Sequence, residues 1–274
     1  MNRKLITAIS ALSAASMLAI GAAAAPAVDG RKTCEAYIAE IKLDGKLDEA
    51  WKYAPVIKVD TIKKNASQWY GDNTKVAGKD YATLNCKVLW DGKGTLYLLY
   101  EVKDKVISLA GANPWEKDSI EYFVQLDNST SSSAEKVQKR LMADNSASDI
   151  GTENYGYAKT SDGFIYEIAV DVSKVGGAGQ YLGIDFQYND DAEGKGVRNV
   201  CLGWSDTDDK ASRDPSVYGQ CKLSDVTVAS LIAAEKAAAE KNSPKTADAV
   251  SISALALLAS AAAYVGTTIR RRRK

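Results

Sequence analysis

Apolar residues recur at every second position along most of the chain between residues 30 and 227. In 95–102, residues 96, 98, 100 and 102 fall on one face, and the segments 119–126, 163–172 and 183–189 repeat this alternation. A period of two is typical of strands with one buried face. Further strands are predicted at 33–40, 56–62, 82–90, 139–144, 153–159, 199–205 and 218–228.

The predicted strands are joined by turn-forming segments. Asp91-Gly92-Lys93-Gly94 predicts a hairpin, and 127–133 predicts a polar loop. Roughly ten strands with one apolar face each, and no long helix among them, predict two packed antiparallel sheets. The expected fold is therefore all-β, a two-sheet antiparallel jelly-roll β-sandwich, which forms one domain over residues 28–227.

Two segments after the sandwich depart from this alternation. Residues 228–242 favour a helix but lack a broad apolar face, so they predict a semi-rigid helical spacer. The apolar run 249–269 is long enough to span a bilayer, and the basic tail 270–274 would stay in the cytoplasm. The sequence thus predicts a C-terminal transmembrane helix.

Both ends of the chain have the pattern of export signals. Residues 1–27 combine a basic start, an apolar stretch and small residues, as in a secretory signal peptide. In 243–274, the segment Ser243-Pro244-Lys245-Thr246-Ala247 resembles the LPxTG-type signal of sortase substrates, which would be cut between Thr246 and Ala247. This predicts a protein on the surface of a Gram-positive-type cell, joined to peptidoglycan by a sortase. A plain membrane anchor is the alternative.

Charge and composition exclude several classes of function. Residues 28–246 hold 28 of the 35 basic residues and 34 of the 35 acidic ones, a formal net charge of −6, which argues against a nucleic-acid partner. The chain has no histidine. Zinc sites and Ser-His-Asp triads are therefore not expected, and haem ligation would have to rely on Met142 or the cysteines.

The four cysteines of the chain permit two disulfides in an exported protein. Sequence alone does not choose among the three possible connectivities. We expect Cys201 to pair with Cys221, because the strands that carry them are consecutive and would lie side by side. Cys34 and Cys86 would then form the second bond.

Several motifs in order along the chain resemble those of the family 9 carbohydrate-binding modules. Residues 44–51 read D-G-x-x-D-x-x-W, residues 88–104 contain a W-D hairpin followed by an L-Y strand ending in Asp, and 115–121 carry a tryptophan and a glutamate six residues apart. The segments 185–190 and 202–204 match the family's N-D strand and second tryptophan. The resemblance covers about residues 33–225 and implies a DOMON-like β-sandwich.

The resemblance also implies a sugar site, in which two tryptophans sandwich a terminal sugar and polar side chains bind its hydroxyls. By motif, Trp115 and Trp204 are the two rings. The polar residues would be Glu121, Gln187, Asn189 and Arg198. Trp51 and Trp90 are interpreted instead as core residues, as strand-edge tryptophans in sandwiches usually are.

Acidic residues cluster at several turns and suggest a structural calcium, since the family often carries one. Asp44 and Asp48 lie close in sequence, and Asp190 begins a second acidic group. Carboxylates with backbone carbonyls suit this hard cation, although none of these groups follows the 12-residue calcium-loop pattern. Solvated turns are the alternative at each place.

The predicted function is capture of plant-type polysaccharide or oligosaccharide ends by tryptophan stacking, without catalysis. A glycosidase would need two carboxylates across a cleft, and no catalytic pattern is recognisable. The alternative function is that of a surface adhesin or scaffold component which binds a protein and has lost the sugar site.

Overall fold

A computed structural model describes residues 26–66 and 78–242, in which twelve strands precede one α-helix. The strands are β1 Thr33–Ile38, β2 Ile57–Lys58, β3 Thr61–Ile62, β4 Thr83–Trp90, β5 Thr95–Lys103, β6 Ser119–Gln125, β7 Val137–Met142, β8 Tyr155–Lys159, β9 Gly163–Asp171, β10 Tyr181–Asp190, β11 Val200–Gly203 and β12 Gly219–Thr227. The helix, α1, spans Val228–Asn242, and short 3-10 helices occur at Glu49–Lys52, Pro114–Glu116, Ser173–Val175 and Pro215–Val217. The strands lie close to the segments that alternation predicts.

The strands pair in the order β3-β11-β10-β12-β1-β4-β5-β9-β8, with β6 on the other edge of β10 and β7 on β6. The long strand β10 organises one layer, because β6 lies along one edge while β12 and β11 share the other. Strand β1 pairs with β12 over most of its length and with β4 at its end, so it joins the two layers of the sandwich.

The expectation of purely antiparallel pairing is wrong at β1. Both of its pairings, with β12 and with β4, are parallel. Parallel neighbours need a long crossover connection, and the chain between β1 and β4 provides one that includes β2 and β3.

The core lies between the faces that alternation predicts. Leu98 and Tyr100 of β5 are fully buried together with Phe186 of β10, and the rings of Tyr100 and Phe186 lie 5.8 Å apart. The other face of β5 is also buried, because Leu99 packs in a second apolar cluster with Trp51. Trp51 and Trp90 are each 1% exposed, which confirms their interpretation as core residues.

The predicted disulfides are wrong. Cys201 and Cys221 pair with the same edge of β10 at Asn189 and Leu182 respectively, seven residues apart, which is about 23 Å at about 3.3 Å per residue. All four cysteines, the predicted Cys34 and Cys86 pair included, are free buried thiols. Cys34 instead faces Cys221 across β1 and β12.

Of the predictions for the two ends of the chain, only the helical spacer lies wholly within the described residues. Helix α1 occupies the segment predicted as a spacer. None of the helices within residues 26–66 and 78–242 is both long and apolar enough to cross a membrane. The predicted transmembrane helix 249–269, the sortase site at Thr246 and Ala247, and residues 1–25 of the predicted signal peptide lie outside the described residues.

Candidate functional site

Three neighbouring strands bring polar side chains together on the face of β6, β10 and β7 that points away from the core. In the register of the sheet, Glu121 lies opposite Gln187 on one side and Arg140 on the other, and Asn189 lies opposite Ser119. Side chains alternate between the two faces of a strand. The polar residues therefore share one face because Ile120, Phe186 and Tyr188 take the other.

Glu121 is the centre of this polar network. Its Oε1 accepts hydrogen bonds from Asn189 Nδ2 at 2.8 Å, Arg140 Nε at 3.1 Å and Gln187 Nε2 at 3.3 Å, and Arg140 Nη2 is also 3.1 Å away. Among the described side chains, Oε2 accepts only from Gln138 Nε2, at 2.7 Å. Oε2 is thus the oxygen with capacity for a further donor. We call Glu121, Gln138, Arg140, Gln187 and Asn189, with Arg198, the polar network.

Arg140 connects the polar network to the surface, and sequence reasoning missed it. Its Nη1 donates to both carboxylate oxygens of Asp149, at 2.6 and 2.8 Å. Burial works to raise the pKa of Asp149, but the hydrogen bonds and charge of Arg140 hold it below its ordinary value. A signal was available, since alternation along β7 puts Gln138 and Arg140 on the face that Glu121 uses.

Arg198, which the resemblance implicates, does join the network. Its Nη1 donates to Asn189 Oδ1 at 2.9 Å, and its Nη2 lies 3.0 Å from Asp209 Oδ2. The side chain of Arg198 is 13% exposed. It therefore places a fixed cation at the rim of the network, where an incoming ligand can reach it.

Trp115 is presented on a braced turn just before β6. It lies in the 3-10 helix Pro114–Glu116, which packs against β10, and it is 46% exposed. Glu116 Oε2 accepts hydrogen bonds from the backbone N and Nδ2 of Asn113, at 2.9 and 3.1 Å. Proline and this capping box fix the turn, so the indole is held towards solvent.

Trp204 does not face Trp115, contrary to the prediction of a ring pair. It is 7% exposed and packs in the core, with its ring 5.7 Å from that of Phe186. The register explains this, because Gly203 lies opposite Gln187, so the next residue points to the opposite face. The structure thus brings Trp115 and the polar network to the outer side and leaves Trp204 in the interior.

Part of the outer face of β6 is closed by the chain that follows Trp204. Phe123 is buried against Ala211 and Tyr218, and the rings of Phe123 and Tyr218 lie 5.8 Å apart. Within the polar network, accessible surface is accordingly found at Gln138 and Arg198, while Trp115 is exposed on the turn before β6.

A second feature is a buried group of three carboxylates, Asp104, Asp118 and Asp190, in which one oxygen of each residue lies within 4.8 Å of those of the other two. Asp190 Oδ2 accepts from the Ala82 backbone N at 2.7 Å, while its Oδ1 is buried without a hydrogen-bond partner in the described part of the chain. Burial raises the pKa of Asp118 to about 8 and that of Asp190 to about 7.

The other predicted metal ligands lie elsewhere and close turns. Asp44 accepts from the backbone N of Lys46 at 3.0 Å, and Asp48 accepts from that of Lys42 at 2.8 Å. Of the predicted ligands, Asp190 alone belongs to the carboxylate group, where Asp104 and Asp118 were not anticipated. Carboxylate oxygens suit a hard cation such as calcium, which takes about six to eight oxygen ligands, so the three carboxylates would supply part of such a site, with Asp190 Oδ1 as the oxygen that has no hydrogen bond.

Comparison with known proteins matches most of the sandwich, from residue 43 onward, to one family. Residues 43–226 match the family model described as "Carbohydrate family 9 binding domain-like". Endo-1,4-beta-xylanase C of Paenibacillus barcinonensis is 35% identical over 189 residues, which are 66% of this chain and 16% of that enzyme. Exoglucanase XynX of Acetivibrio thermocellus is 33% identical over 189 residues, which again are 66% of this chain and 16% of that enzyme. The chain thus spans about a sixth of the length of these curated relatives.

Solved structures support the fold. A family 9 carbohydrate-binding module from Caldicellulosiruptor kristjanssonii, solved in complex with glucose and with cellotriose, superimposes with a TM-score of 0.61. The identity is 22%, and the match covers 72% of this chain and 97% of the glucose-bound module. The β-sandwich is shared, whereas the DOMON-like relationship stays a prediction.

Proposed function

Because the chain belongs to the carbohydrate family 9 binding domain-like proteins, we propose that it is a non-catalytic module which captures the ends of plant-type polysaccharides. The observation that carries this proposal is the exposed, braced ring of Trp115 close in the chain to the fixed hydrogen-bonding groups of the polar network. Sugars offer C–H faces to aromatic rings and hydroxyls to such groups. The xylanase and exoglucanase relatives, and the glucose and cellotriose of the solved modules, support this ligand class.

The polar network supports the recognition of hydroxyl groups. Glu121 Oε2 has acceptor capacity beyond its bond from Gln138, and the partly exposed Arg198 offers donors. Glu121 is 1% exposed, so a sugar hydroxyl reaches Oε2 only after the Gln138 side chain moves, and Oε2 then accepts from both the hydroxyl and Gln138 Nε2. The bond from the hydroxyl to the charged Glu121 and the stacking of Trp115 both contribute to affinity.

A protein-binding adhesin or scaffold component remains the second candidate. One observation favours it, namely that Trp204 is in the core and does not supply the second ring of the predicted sandwich. A single stacking ring provides less apolar contact to a sugar, whereas an exposed tryptophan flanked by charges also suits a protein partner.

Truncation of Trp115 tests the glycan proposal. A ring stacked on a sugar contributes on the order of 1 kcal/mol beyond burial, by analogy with aromatic pairs, so Trp115→Ala is expected to weaken cellotriose or xylotriose binding by about 10-fold. Isothermal titration calorimetry measures this. Leu47→Ala is the control, because Leu47 is 49% exposed in a loop near β8. Unchanged affinity in Trp115→Ala, with the fold intact, would favour the adhesin.

We also propose that the module is displayed on the cell wall, with α1 as the spacer. The support is the order of the export signal, the helical segment and the Pro244-Lys245-Thr246 signal in the sequence. Thr246→Ala is then expected to leave the protein extractable from membranes by detergent, whereas the unmodified chain stays covalently on peptidoglycan. Release of the unmodified chain by detergent alone would exclude sortase anchoring and leave the plain membrane anchor.

A structural calcium is the third part of the proposal. Asp104, Asp118 and Asp190 would bind it, and the support is the unpartnered Asp190 Oδ1 within this buried carboxylate group. Asp104 Oδ1 and Oδ2 already accept from the Val106 backbone N and from the Tyr188 hydroxyl. A cation here would hold the ends of β5 and β10 and the start of β6 together.

A further inference from the structure

A lysine is buried directly behind the polar network. Lys63 follows β3 and is 0% exposed, and its Nζ donates to Gln187 Oε1 at 2.6 Å and to Asp206 Oδ2 at 3.0 Å. The aliphatic part of Lys63 lies against Gly203, where a Cβ would overlap Lys63 Cε. Glycine at this position of β11 therefore leaves the space that the lysine occupies.

The surroundings of Lys63 keep it charged. Burial alone would lower the pKa of Lys63, but the groups around it raise it, Cys201 first and then the carboxylates of Asp185 and Asp206, which carry the negative charge at neutral pH. Asp206 is also held by the backbone N atoms of Asp208, Lys210 and Ala211. A charged ammonium has three donors and no acceptor, so Lys63 can only donate to Gln187.

Because Lys63 can only donate, it determines the orientation of two side-chain amides, those of Gln187 and Asn189. With Gln187 Oε1 on Lys63, Gln187 Nε2 must point the other way, and it donates to Asn189 Oδ1 at 3.0 Å and to Glu121 Oε1 at 3.3 Å. Asn189 Oδ1 also accepts from Arg198, which likewise only donates. Asn189 Nδ2 is consequently directed at Glu121 Oε1 and Ser119 Oγ, at 2.8 and 3.1 Å.

We propose that Lys63 is a positioning residue of the glycan site. It orients the side-chain amides of Gln187 and Asn189 so that their NH₂ groups donate hydrogen bonds to Glu121 Oε1. The proposal rests on the function proposed above. Oε2 of Glu121 is left for Gln138 and for a sugar hydroxyl as a consequence of this orientation. Without the ammonium, Gln187 Oε1 loses the donor that holds it, so the Gln187 amide is no longer fixed from both ends and its NH₂ group is less well positioned for Glu121 Oε1 and Asn189 Oδ1.

Lys63→Met tests this with a side chain of similar length that donates nothing. The expected result is about 10-fold weaker cellotriose binding, measured by calorimetry well below the melting temperature of every variant. The matched control is Asp185→Asn. Asp185 is fully buried near Lys63 and accepts from the backbone N atoms of Phe186, Ser205 and Asp206, but within the described residues it makes no hydrogen bond to Gln187. Asp185→Asn is expected to lower the melting temperature and to retain affinity.

A second measurement does not depend on any glycan. In ¹H–¹⁵N spectra, the side-chain NH₂ resonances of Gln187 and Asn189 are expected to shift in Lys63→Met and to stay in place in Asp185→Asn. Unmoved resonances in Lys63→Met would overturn the positioning role. So would equal losses of affinity in the two variants, because general loosening of the fold would then explain both.

The two proposals fail in different ways. If Lys63→Met retains affinity while Trp115→Ala loses it, the positioning role is wrong and the glycan site stands. If the unmodified protein binds no glycan, the function is wrong, and the NH₂ resonances still decide whether Lys63 orients the amides. Should Lys63→Met fail to fold because Asp206 is left unpaired, Lys63→Met with Asp206→Asn removes both buried charges and undergoes the same two measurements.

Discussion

Replacing Arg140 with methionine is expected to lower the free energy of unfolding by about 3–5 kcal/mol, because one partner of a buried ion pair then lacks its counter-charge. The side chains of Arg140 and Glu121 are 5% and 2% exposed, so water cannot replace the lost donors. Urea unfolding should show a lower midpoint with an unchanged slope. Lys52→Met is the control, since the pair of Lys52 with Glu49 is solvent-exposed, and its midpoint should not move.

The double variant Arg140→Met with Glu121→Gln separates stability from recognition. It removes both buried charges, so most of the lost stability should return, as buried pairs replaced together are often tolerated. Cellotriose binding should nevertheless be lost in the double variant, because the charged acceptor is gone. A midpoint for Arg140→Met close to that of the unmodified protein would show that the pair does not hold β6 to β7, and recovered affinity in the double variant would remove Glu121 from the site.

Calcium is expected to raise the melting temperature by about 5–10 °C, and Asp190→Asn to abolish this increase. At a free calcium concentration of about 100 times the Kd, binding to the native state stabilises it by about 2.7 kcal/mol. In a domain of this size, each kcal/mol raises the melting temperature by about 2–4 °C. In Asp190→Asn the amide oxygen can keep the bond from the Ala82 backbone N, while the NH₂ group faces the other carboxylates. Differential scanning calorimetry with calcium and with EDTA measures the change.

The variant should also be more stable than the unmodified protein in EDTA, increasingly so as the pH rises. Asp118 and Asp190 have folded pKa values of about 8 and about 7, whereas an unfolded aspartate titrates near pH 3.9. Between these values the folded state holds more protons, so raising the pH towards 8 destabilises it. Asp118 is present in both proteins, so the difference between Asp190→Asn and the unmodified protein follows Asp190 and should grow from about pH 4 to about pH 7.

Asp44→Asn with Asp48→Asn is the control for calcium, because these carboxylates close turns and lie outside the group. It should leave the calcium increase intact. If calcium has no effect on the unmodified protein, the site is absent. If the turn variants lose the increase instead, the cation binds at Asp44 and Asp48, the other place that the sequence suggested.

Local patterns predicted most of the strands and part of the site. Apolar and polar residues alternate in β5, β6, β9 and β10 because a strand has two faces. This alternation can be recognised in each segment without knowledge of the rest of the fold. The same alternation puts Glu121, Gln187 and Asn189 away from the core. It also predicts the buried side for Trp204, since Leu202 and Val200, two and four residues earlier, are core residues, although the motif argued otherwise.

By itself, then, the sequence determined a sandwich of short strands, the helical segment after it, and the faces on which the polar residues lie. Only the tertiary structure decided which strands are neighbours. That choice separates Cys201 from Cys221, makes β1 parallel to both of its partners and brings Lys63 behind Gln187. It also brings Asp104 and Asp118 to Asp190. The physical reason is that alternation encodes the face of each residue locally, whereas pairing and register arise from contacts between segments far apart in the chain.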